Sequence, residues 1–341
     1  MEEKKDLSIE KVCEVFGGQV AQENDPVITR KAVRVRQEKL FSEDHIITPA
    51  QIYAELSKTV LGQEKAKKSL AVILYQHLKR FALSQEGEEL RKTNALMIGP
   101  SCCGRTMLAK ALADVAKLPF LKIDATNFTQ RGYRGGMNSE QIVDLLRSAA
   151  KDKISRARWA IVFIDEVDKL AHSRWGDDSI ATSGIQQDLL SIIDGGSLFY
   201  ESDHEEYSRE EFDFSNVLFI FSGAFEKING HLDIGVKELV KFGFIPEFAN
   251  RLGSIIQLEP LPDEVIKRLI KKEVRDYKSY FQITDPELSV YTELIHSIIT
   301  TSNSPEAMGG RCVGPAVRRF FEDLIFEVGN KEGTSDAKEK K

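Results

Sequence analysis

The sequence predicts an α/β protein, in which a mostly parallel sheet carries helices on both faces and a smaller helical domain follows. Short apolar runs of strand type alternate with segments of helical spacing between residues 95 and 258, an order typical of parallel sheets with helical crossovers. A glycine-rich loop joins the first run to a helix, and a later run ends in two acids. After Pro260-Leu261-Pro262 the strand pattern fades and helical periodicity continues.

The predicted elements can be given in chain order. The strands are Ala95–Ile98, Phe120–Ile123, Ala160–Ile164, Val217–Phe221 and Ile255–Leu258. The helical pattern begins at Pro49, and the clearest helices are Ala66–Phe81, Met107–Lys117, Gln141–Ala150, Gln186–Ile193, Val265–Tyr280, Leu288–Thr300 and Ala316–Phe326. Leu70, Ile73, Leu74 and Leu78 illustrate the spacing, because they share one face of a helix.

Four parts of the chain follow from this pattern. Residues 1–48 are polar and weakly periodic, which predicts a poorly defined, partly disordered arm. Residues 49–259 form the large α/β domain and residues 260–328 a small helical domain. The lysine- and glutamate-rich residues 329–341 are expected to be a disordered tail.

Composition limits the class of protein. The chain has 341 residues, 42% of them hydrophobic and 29% charged, with a formal net charge of −6. This balance gives no indication of a nucleic-acid or membrane surface, and no apolar run approaches the roughly 20 residues that span a bilayer. Because Met1–Glu10 is charged and lacks a signal-peptide core, a cytoplasmic location is expected. The four cysteines include no C-x₂-C pair, which predicts reduced thiols and no structural zinc.

The loop Gly99-Pro100-Ser101-Cys102-Cys103-Gly104-Arg105-Thr106, which leads into Met107, has the frame of a phosphate-binding loop. In such a loop, backbone N–H groups close around phosphate oxygens and the helix N-terminus adds partial positive charge. Thr106 would supply a hydroxyl ligand for Mg²⁺. The alternative is a simple glycine turn. Cys102 and Cys103 are expected to be small residues that fit the loop, with a redox switch as the alternative.

Two acids end a buried-strand pattern at Asp165 and Glu166. Buried parallel strands deliver such residues to the carboxyl edge of the sheet, where ligands bind in these folds. Asp165 would hold Mg²⁺ through water, and Glu166 would orient the attacking water. Helix capping is the alternative role for acids at this position.

Four further motifs make the pattern specific. They are Leu61-Gly62-Gln63-Glu64, Ile164-Asp165-Glu166-Val167-Asp168-Lys169, Ser222-Gly223-Ala224-Phe225 and Phe242-Gly243-Phe244-Ile245-Pro246-Glu247-Phe248. Together they resemble the ClpX and HslU unfoldases of the AAA+ superfamily, from about Pro49 to Val328. The resemblance implies an AAA+ core with a helical lid, ATP and Mg²⁺ as ligands, and a hexameric ring that pulls unfolded or tagged polypeptides through a pore.

The resemblance also implies roles for individual residues. Ser222 matches the polar sensor, Arg251 the arginine finger that reaches a neighbouring subunit's nucleotide, and Arg311 the second sensor arginine. Val60 and Leu61 match the apolar residues around adenine. An arginine finger can be worth roughly 10³–10⁵ in rate.

The segment Gly132-Tyr133-Arg134-Gly135 is similar to the family's aromatic pore loop. Tyr133 would grip an extended substrate, and Arg134 replaces an aliphatic residue, which would make the pore mouth more basic and favour acidic or mixed-charge substrates. The alternative is a loop that packs on its own domain.

Three departures from the family modify the expectation. Arg105 replaces the phosphate-loop lysine, and since the two cations are not interchangeable, binding is expected to persist while hydrolysis slows. No cysteine-rich adaptor module is found among these residues. The stretch between Phe225 and Phe242 lacks the Ile-Gly-Phe tip that docks ClpP, so docking to ClpP is not supported.

Two functions therefore remain open. The first is an unfoldase ATPase, and the second is a nucleotide-binding structural or regulatory subunit of a homomeric or mixed ring. A DNA-acting motor is disfavoured by the acidic net charge.

Overall fold

The computed structural model describes residues 47–86, 90–128, 137, 139–171, 178–201, 209–226, 228, 234–281, 288–302, 309–322 and 326. The predicted arm up to residue 46 and the predicted tail 329–341 lie outside them, as do Tyr133 and Arg134 of the predicted pore loop.

In the part of the chain that the structure describes, the strands are β1 (Ala95–Ile98), β2 (Phe120–Asp124), β3 (Ile161–Asp165), β4 (Ser197–Glu201), β5 (Arg209–Asp213), β6 (Leu218–Gly223) and β7 (Ser254–Gln257). Five of them form one sheet in the order β2-β3-β6-β1-β7, and all of its pairings are parallel. Strands β4 and β5 form a separate antiparallel hairpin. The predicted strands all occur, with bounds shifted by up to two residues.

The helices are α1 (Pro49–Thr59), α2 (Glu64–Glu86), α3 (Arg105–Ala116), α4 (Ser139–Ala149), α5 (Ile154–Ala157), α6 (Asp178–Ile193), α7 (Val236–Phe242), α8 (Pro246–Arg251), α9 (Asp263–Tyr280) and α10 (Leu288–Ser302). The described ranges also contain short 3₁₀ helices at Ala125–Asn127, Val167–Leu170 and Gly309–Cys312. A last helix covers residues 313–322. It begins three residues before the predicted start at Ala316, and Pro315 is tolerated because it lies in the first turn.

The sheet is buried on both faces because alternate residues of its central strands enter two different cores. Leu96, Val162 and Phe219 belong to one core. Met97 and Phe163 belong to the other, which α1, α2 and α3 cover. Strands buried on both faces read as continuous apolar runs, which explains why the sequence reveals them so clearly.

The helices after β7 have a core of their own, built around Ile266, Ile270, Val274, Ile295 and Phe321. The predicted α/β class with a following helical unit is therefore confirmed. Within the described residues, no helix is both long and apolar enough to cross a membrane.

Candidate nucleotide-binding site

The glycine-rich loop leaves β1 at the carboxyl edge of the sheet and turns into α3. A Cβ atom on Gly99 would lie 2.8 Å from the Leu258 Cβ and 2.9 Å from its carbonyl oxygen, so only glycine fits. Gly104 precedes α3 with a φ of 104°, a left-handed conformation that glycine adopts without strain. The backbone thus requires or favours glycine at both positions, which agrees with the phosphate-loop interpretation.

Arg105 begins α3 and folds back onto the loop. One of its guanidinium nitrogens donates to the carbonyls of Gly99 and Pro100, the second at 3.1 Å. The side chain is partly buried there. The cation therefore bonds to the start of its own loop.

A second group of side chains meets where β3 ends. The Thr106 hydroxyl donates to the Asp165 Oδ2 at 3.4 Å, and the Lys122 ammonium lies 3.4 Å from the same oxygen. Asp165 is largely buried, and its Oδ1 accepts a bond from the Glu166 backbone N–H at 3.1 Å. A hydroxyl and a carboxylate are oxygen donors of the kind that Mg²⁺ prefers, so these two side chains could hold the ion.

Glu166 follows Asp165 with a φ of 56° and is solvent-exposed. A left-handed conformation is uncommon for a residue other than glycine, asparagine or aspartate, and such positions concentrate at functional sites. Glu166 does precede the 3₁₀ helix Val167–Leu170, but its side chain makes no capping bond to it. The geometry therefore does not support the alternative role of Glu166 as a helix cap.

Ser222 lies on β6, the strand between β1 and β3, and pairs with Met97. It is fully buried, and its Oγ has no hydrogen-bond partner among the described residues. A buried hydroxyl without a partner costs free energy. Ser222 lies on the strand between the one that leads into the glycine loop and the one that carries Asp165.

Gln63 connects the segment Val60–Leu61 to the loop. Its carboxamide donates to the carbonyls of Cys103, at 3.2 Å, and Glu259, at 2.7 Å, and accepts from the Glu259 N–H at 3.2 Å. Val60 is buried and Leu61 half-buried. These bonds hold the two apolar residues beside the loop, where the sequence predicts contacts with a base.

The helical unit also contacts the loop. The Gly310 N–H donates to the Cys102 carbonyl at 3.0 Å, and the neighbouring Arg311 is exposed. The structure thus brings Arg311 next to the loop, although it lies about 200 residues away in sequence.

Comparison with known proteins agrees with this geometry. Residues 90–255 match the family model described as "AAA domain (Cdc48 subfamily)". The chain is 35% identical over 317 residues to the ATP-dependent Clp protease ATP-binding subunit ClpX 2 of Wolinella succinogenes, an alignment that covers 84% of this chain and 79% of that protein. The chain belongs to the ClpX family of AAA+ proteins.

One ClpX-type motif residue, Arg251, lies far from the glycine loop. Its carbonyl accepts a bond from Asn94 at 3.0 Å, just before β1 begins, whereas the loop starts after β1 ends. At about 3.3 Å per residue, this strand separates the two places by about 13 Å or more. Arg251 is about half exposed, and its Nε lies 2.5 Å from the Asp194 Oδ1. The structure therefore does not bring Arg251 together with the glycine loop of its own chain.

The two cysteines of the loop, Cys102 and Cys103, were interpreted either as small residues that fit the loop or as a redox switch. Cys103 is buried, and burial raises the pKa of its thiol. A buried, protonated thiol is a poor nucleophile. For Cys103 the geometry favours the interpretation of a small residue that fits the loop.

Sequence reasoning singled out most of the residues that meet here but missed Lys122. Its strand was predicted, yet a lysine in an edge strand ordinarily indicates a solvated face. The signal that could have found it is its place two residues before the carboxyl end of β2, next to the strand that carries Asp165.

Proposed function

We propose that this protein is an ATP-binding, ring-forming ClpX-type ATPase that unfolds or translocates polypeptides through a hexameric pore. The observation that carries the proposal is the contact of Thr106 with Asp165, together with the buried, unpartnered hydroxyl of Ser222 on the strand between β1 and β3. Thr106 lies at the exit of a glycine loop in a chain of the ClpX family. A magnesium–nucleotide complex would satisfy all three.

Each residue would have a role in phosphoryl transfer. The loop from Gly99 to Met107 would hold the phosphates, while Thr106 and Asp165 would hold Mg²⁺, which supplies charge neutralisation to the triphosphate. Glu166 would orient the attacking water, and Ser222 would bond to the phosphate or that water. These assignments rest on the bonds and burial described above and on the family motifs.

Two arginines would complete the site. Arg311 would approach the phosphates from the helical unit, and Arg251 would act on a neighbouring subunit in a ring. Val60 and Leu61 would contact adenine. Tyr133 and Arg134 would contact the polypeptide in the pore, a proposal that rests on sequence alone.

One observation favours a second function. Because Arg105 bonds to its own loop and carries the wider guanidinium, hydrolysis would be slowed. In the extreme case the protein would be a nucleotide-binding structural or regulatory subunit, alone or in a mixed ring with an active relative.

A turnover assay separates the two functions. ATP hydrolysis by the purified protein is measured with and without an unfolded protein substrate, beside nucleotide affinity under the same conditions. The ATPase proposal predicts slow turnover that rises with the unfolded protein and disappears in Glu166→Gln. Tight binding with turnover no higher than in Glu166→Gln would contradict it and favour the regulatory subunit.

A further inference from the structure

Lys122 is the cation that lies beside the metal-binding corner, which Thr106 and Asp165 form. Its ammonium is 3.4 Å from the Asp165 oxygen that also accepts the Thr106 hydroxyl. Three chain segments, β2, the end of β3 and the start of α3, thus bring a cation, a carboxylate and a hydroxyl to one point. Of these three groups, the ammonium is the one with no role in the proposed function.

The fold explains why a lysine on β2 reaches this corner. Leu121 and Ile123 are buried in one core of the sheet, so Lys122 projects from the opposite face. That face carries Phe120, whose ring stacks with Phe163 at a centroid distance of 6.3 Å. The helix α3, which begins with Arg105 and Thr106, covers the same face. Lys122 therefore runs along the sheet toward the start of α3.

The loop itself lacks the compact cation that this position calls for. Arg105 occupies the lysine position, and its guanidinium bonds to two carbonyls at the start of the loop. Guanidinium is planar and wide, whereas an ammonium is a compact point charge with three rotatable donors. Phosphoryl transfer needs positive charge around the oxygens of the transferred group, and Lys122 brings an ammonium to Asp165, the carboxylate that contacts Thr106 at the end of the loop.

The ion pair with Asp165 alone does not explain the presence of Lys122 at this position, because it stabilises the fold little. The lysine side chain is 45% exposed, and exposed pairs contribute little to stability. The same exposure leaves the ammonium free to change partners once Asp165 holds a metal ion. A charge-assisted bond to a phosphate oxygen would then replace the bond to the carboxylate.

We propose that Lys122 binds the phosphates of the nucleoside triphosphate and supplies the ammonium charge that the loop position of Arg105 does not. The proposal rests on the proposed function, because it assumes that a magnesium–triphosphate complex binds at this corner. It makes Lys122 a binding residue placed on a different strand from the loop.

The test is the affinity for a fluorescent N-methylanthraniloyl derivative of ATP, measured by titration at fixed Mg²⁺ without turnover. Lys122→Met should raise the Kd about tenfold, which corresponds to about 1.4 kcal/mol, while Lys122→Arg should recover only part of the loss, because a guanidinium is wider than an ammonium. Lys272→Met is the matched control, since it removes the same charge from an exposed site on α9 and should leave the Kd unchanged. Circular dichroism melting checks that all variants are folded.

A double variant makes the test specific to the missing lysine. In an Arg105→Lys background, Lys122→Met should raise the Kd by less than about twofold, because the loop then carries its own ammonium. If Lys122→Met weakened probe binding equally in both backgrounds, Lys122 would not be replacing the missing loop ammonium, and the inference would be overturned.

Two other results would also overturn the inference. If Lys122 only shields Asp165, Lys122→Met would bind the probe more tightly and need less Mg²⁺. If Lys122→Met and Lys272→Met both matched the wild type, Lys122 would not contact the phosphates. Failure of the wild type itself to bind the probe would instead contradict the proposed function.

Discussion

At the scale of single residues, Arg105 has the most direct consequence for turnover. Its guanidinium bonds to the carbonyls of Gly99 and Pro100, which leaves these donors engaged at the start of the loop. A guanidinium that is held by one nitrogen at the start of the loop is poorly preorganised for the transition state. Binding and hydrolysis should therefore respond differently to a change at this position.

We predict that Arg105→Lys raises ATP turnover about tenfold or more, since about 1.4 kcal/mol of barrier corresponds to a factor of ten. ATP affinity should change much less. Steady-state hydrolysis and equilibrium binding are measured on the same preparation. Arg105→Gln is the control, because it removes the charge and should not raise turnover. Equal turnover in Arg105→Lys and the wild type would contradict this account.

His77 gives a prediction that is independent of nucleotide. It is buried in α2, its Nε2 lies 3.2 Å from the Trp159 carbonyl, and burial lowers its pKa to about 4. As the pH falls, His77 therefore binds a proton near pH 6.5 in the unfolded chain but only near pH 4 in the folded chain. This stabilising contribution is complete above pH 6.5 and is lost as the pH falls toward 4.

Urea unfolding at pH 6.5 and pH 5 measures the effect. The free energy of unfolding should fall by about 2 kcal/mol over this interval because of His77. His77→Gln keeps a hydrogen-bond donor but does not titrate, so its loss should be smaller by that amount. The same pH dependence in both proteins would show that His77 is not the titrating group.

At the scale of elements, the turn from β1 into α3 is fixed by steric contacts as well as by sequence motif. Gly99 is packed against Leu258, the residue that follows β7. The turn is thus held in place by the segment that follows a neighbouring strand.

Gly99→Ala should therefore destabilise the protein by about 1–3 kcal/mol, the usual cost of overpacking, and weaken ATP binding. Gly235→Ala is the matched control, since a Cβ there would meet its nearest neighbour, the Glu238 carboxylate, at 3.4 Å. Chemical denaturation and ATP titration of both variants check the prediction. Two equally stable variants would mean that the β1–α3 turn can shift to accommodate a side chain.

The strands of the main sheet were predictable because they are buried on both faces, and the glycine loop because its spacing is distinctive. The hairpin of β4 and β5 was missed. Its exposed Phe199 and charged Glu210 and Glu211 give no continuous apolar run. The start of α6 was also missed: the helix begins at Asp178, whereas the predicted helix began at Gln186. The buried carboxamide of Gln186 donates to the Leu170 carbonyl and accepts from the Ile245 N–H.

The site was predictable as a set of residues but not as a set of contacts. The meeting of Lys122 with Asp165 depends on strand order, which places β2 beside β3. The contact between Gly310 and Cys102 depends on how the helical unit folds back onto the loop. Neither property can be read from local spacing.

At the scale of the whole molecule, the two ends of the sheet hold different parts of the proposed machinery. The glycine loop, Asp165 and Ser222 lie at the carboxyl ends of the strands, and Arg251 lies before β7 at the other edge, paired with Asp194. In a ring, the first group would belong to one subunit and the arginine to the next. Activity should then be a property of subunit interfaces.

Mixing two inactive variants tests this arrangement. Arg251→Ala and Glu166→Gln should each abolish turnover, and an equimolar mixture should recover part of it. Recovery is expected because some interfaces then pair an intact Glu166 with an intact Arg251. ATPase assays are run before and after mixing under conditions that allow exchange. A mixture as inactive as its components would contradict action between subunits.

We propose above all that a magnesium–triphosphate complex binds between the glycine loop and the end of β3. Isothermal titration calorimetry of ATP into the folded protein, with and without Mg²⁺, measures this binding. We expect saturable binding to one site per chain that tightens with Mg²⁺ and weakens in Asp165→Asn. A folded protein that gave no heat of binding with ATP at several temperatures would contradict it.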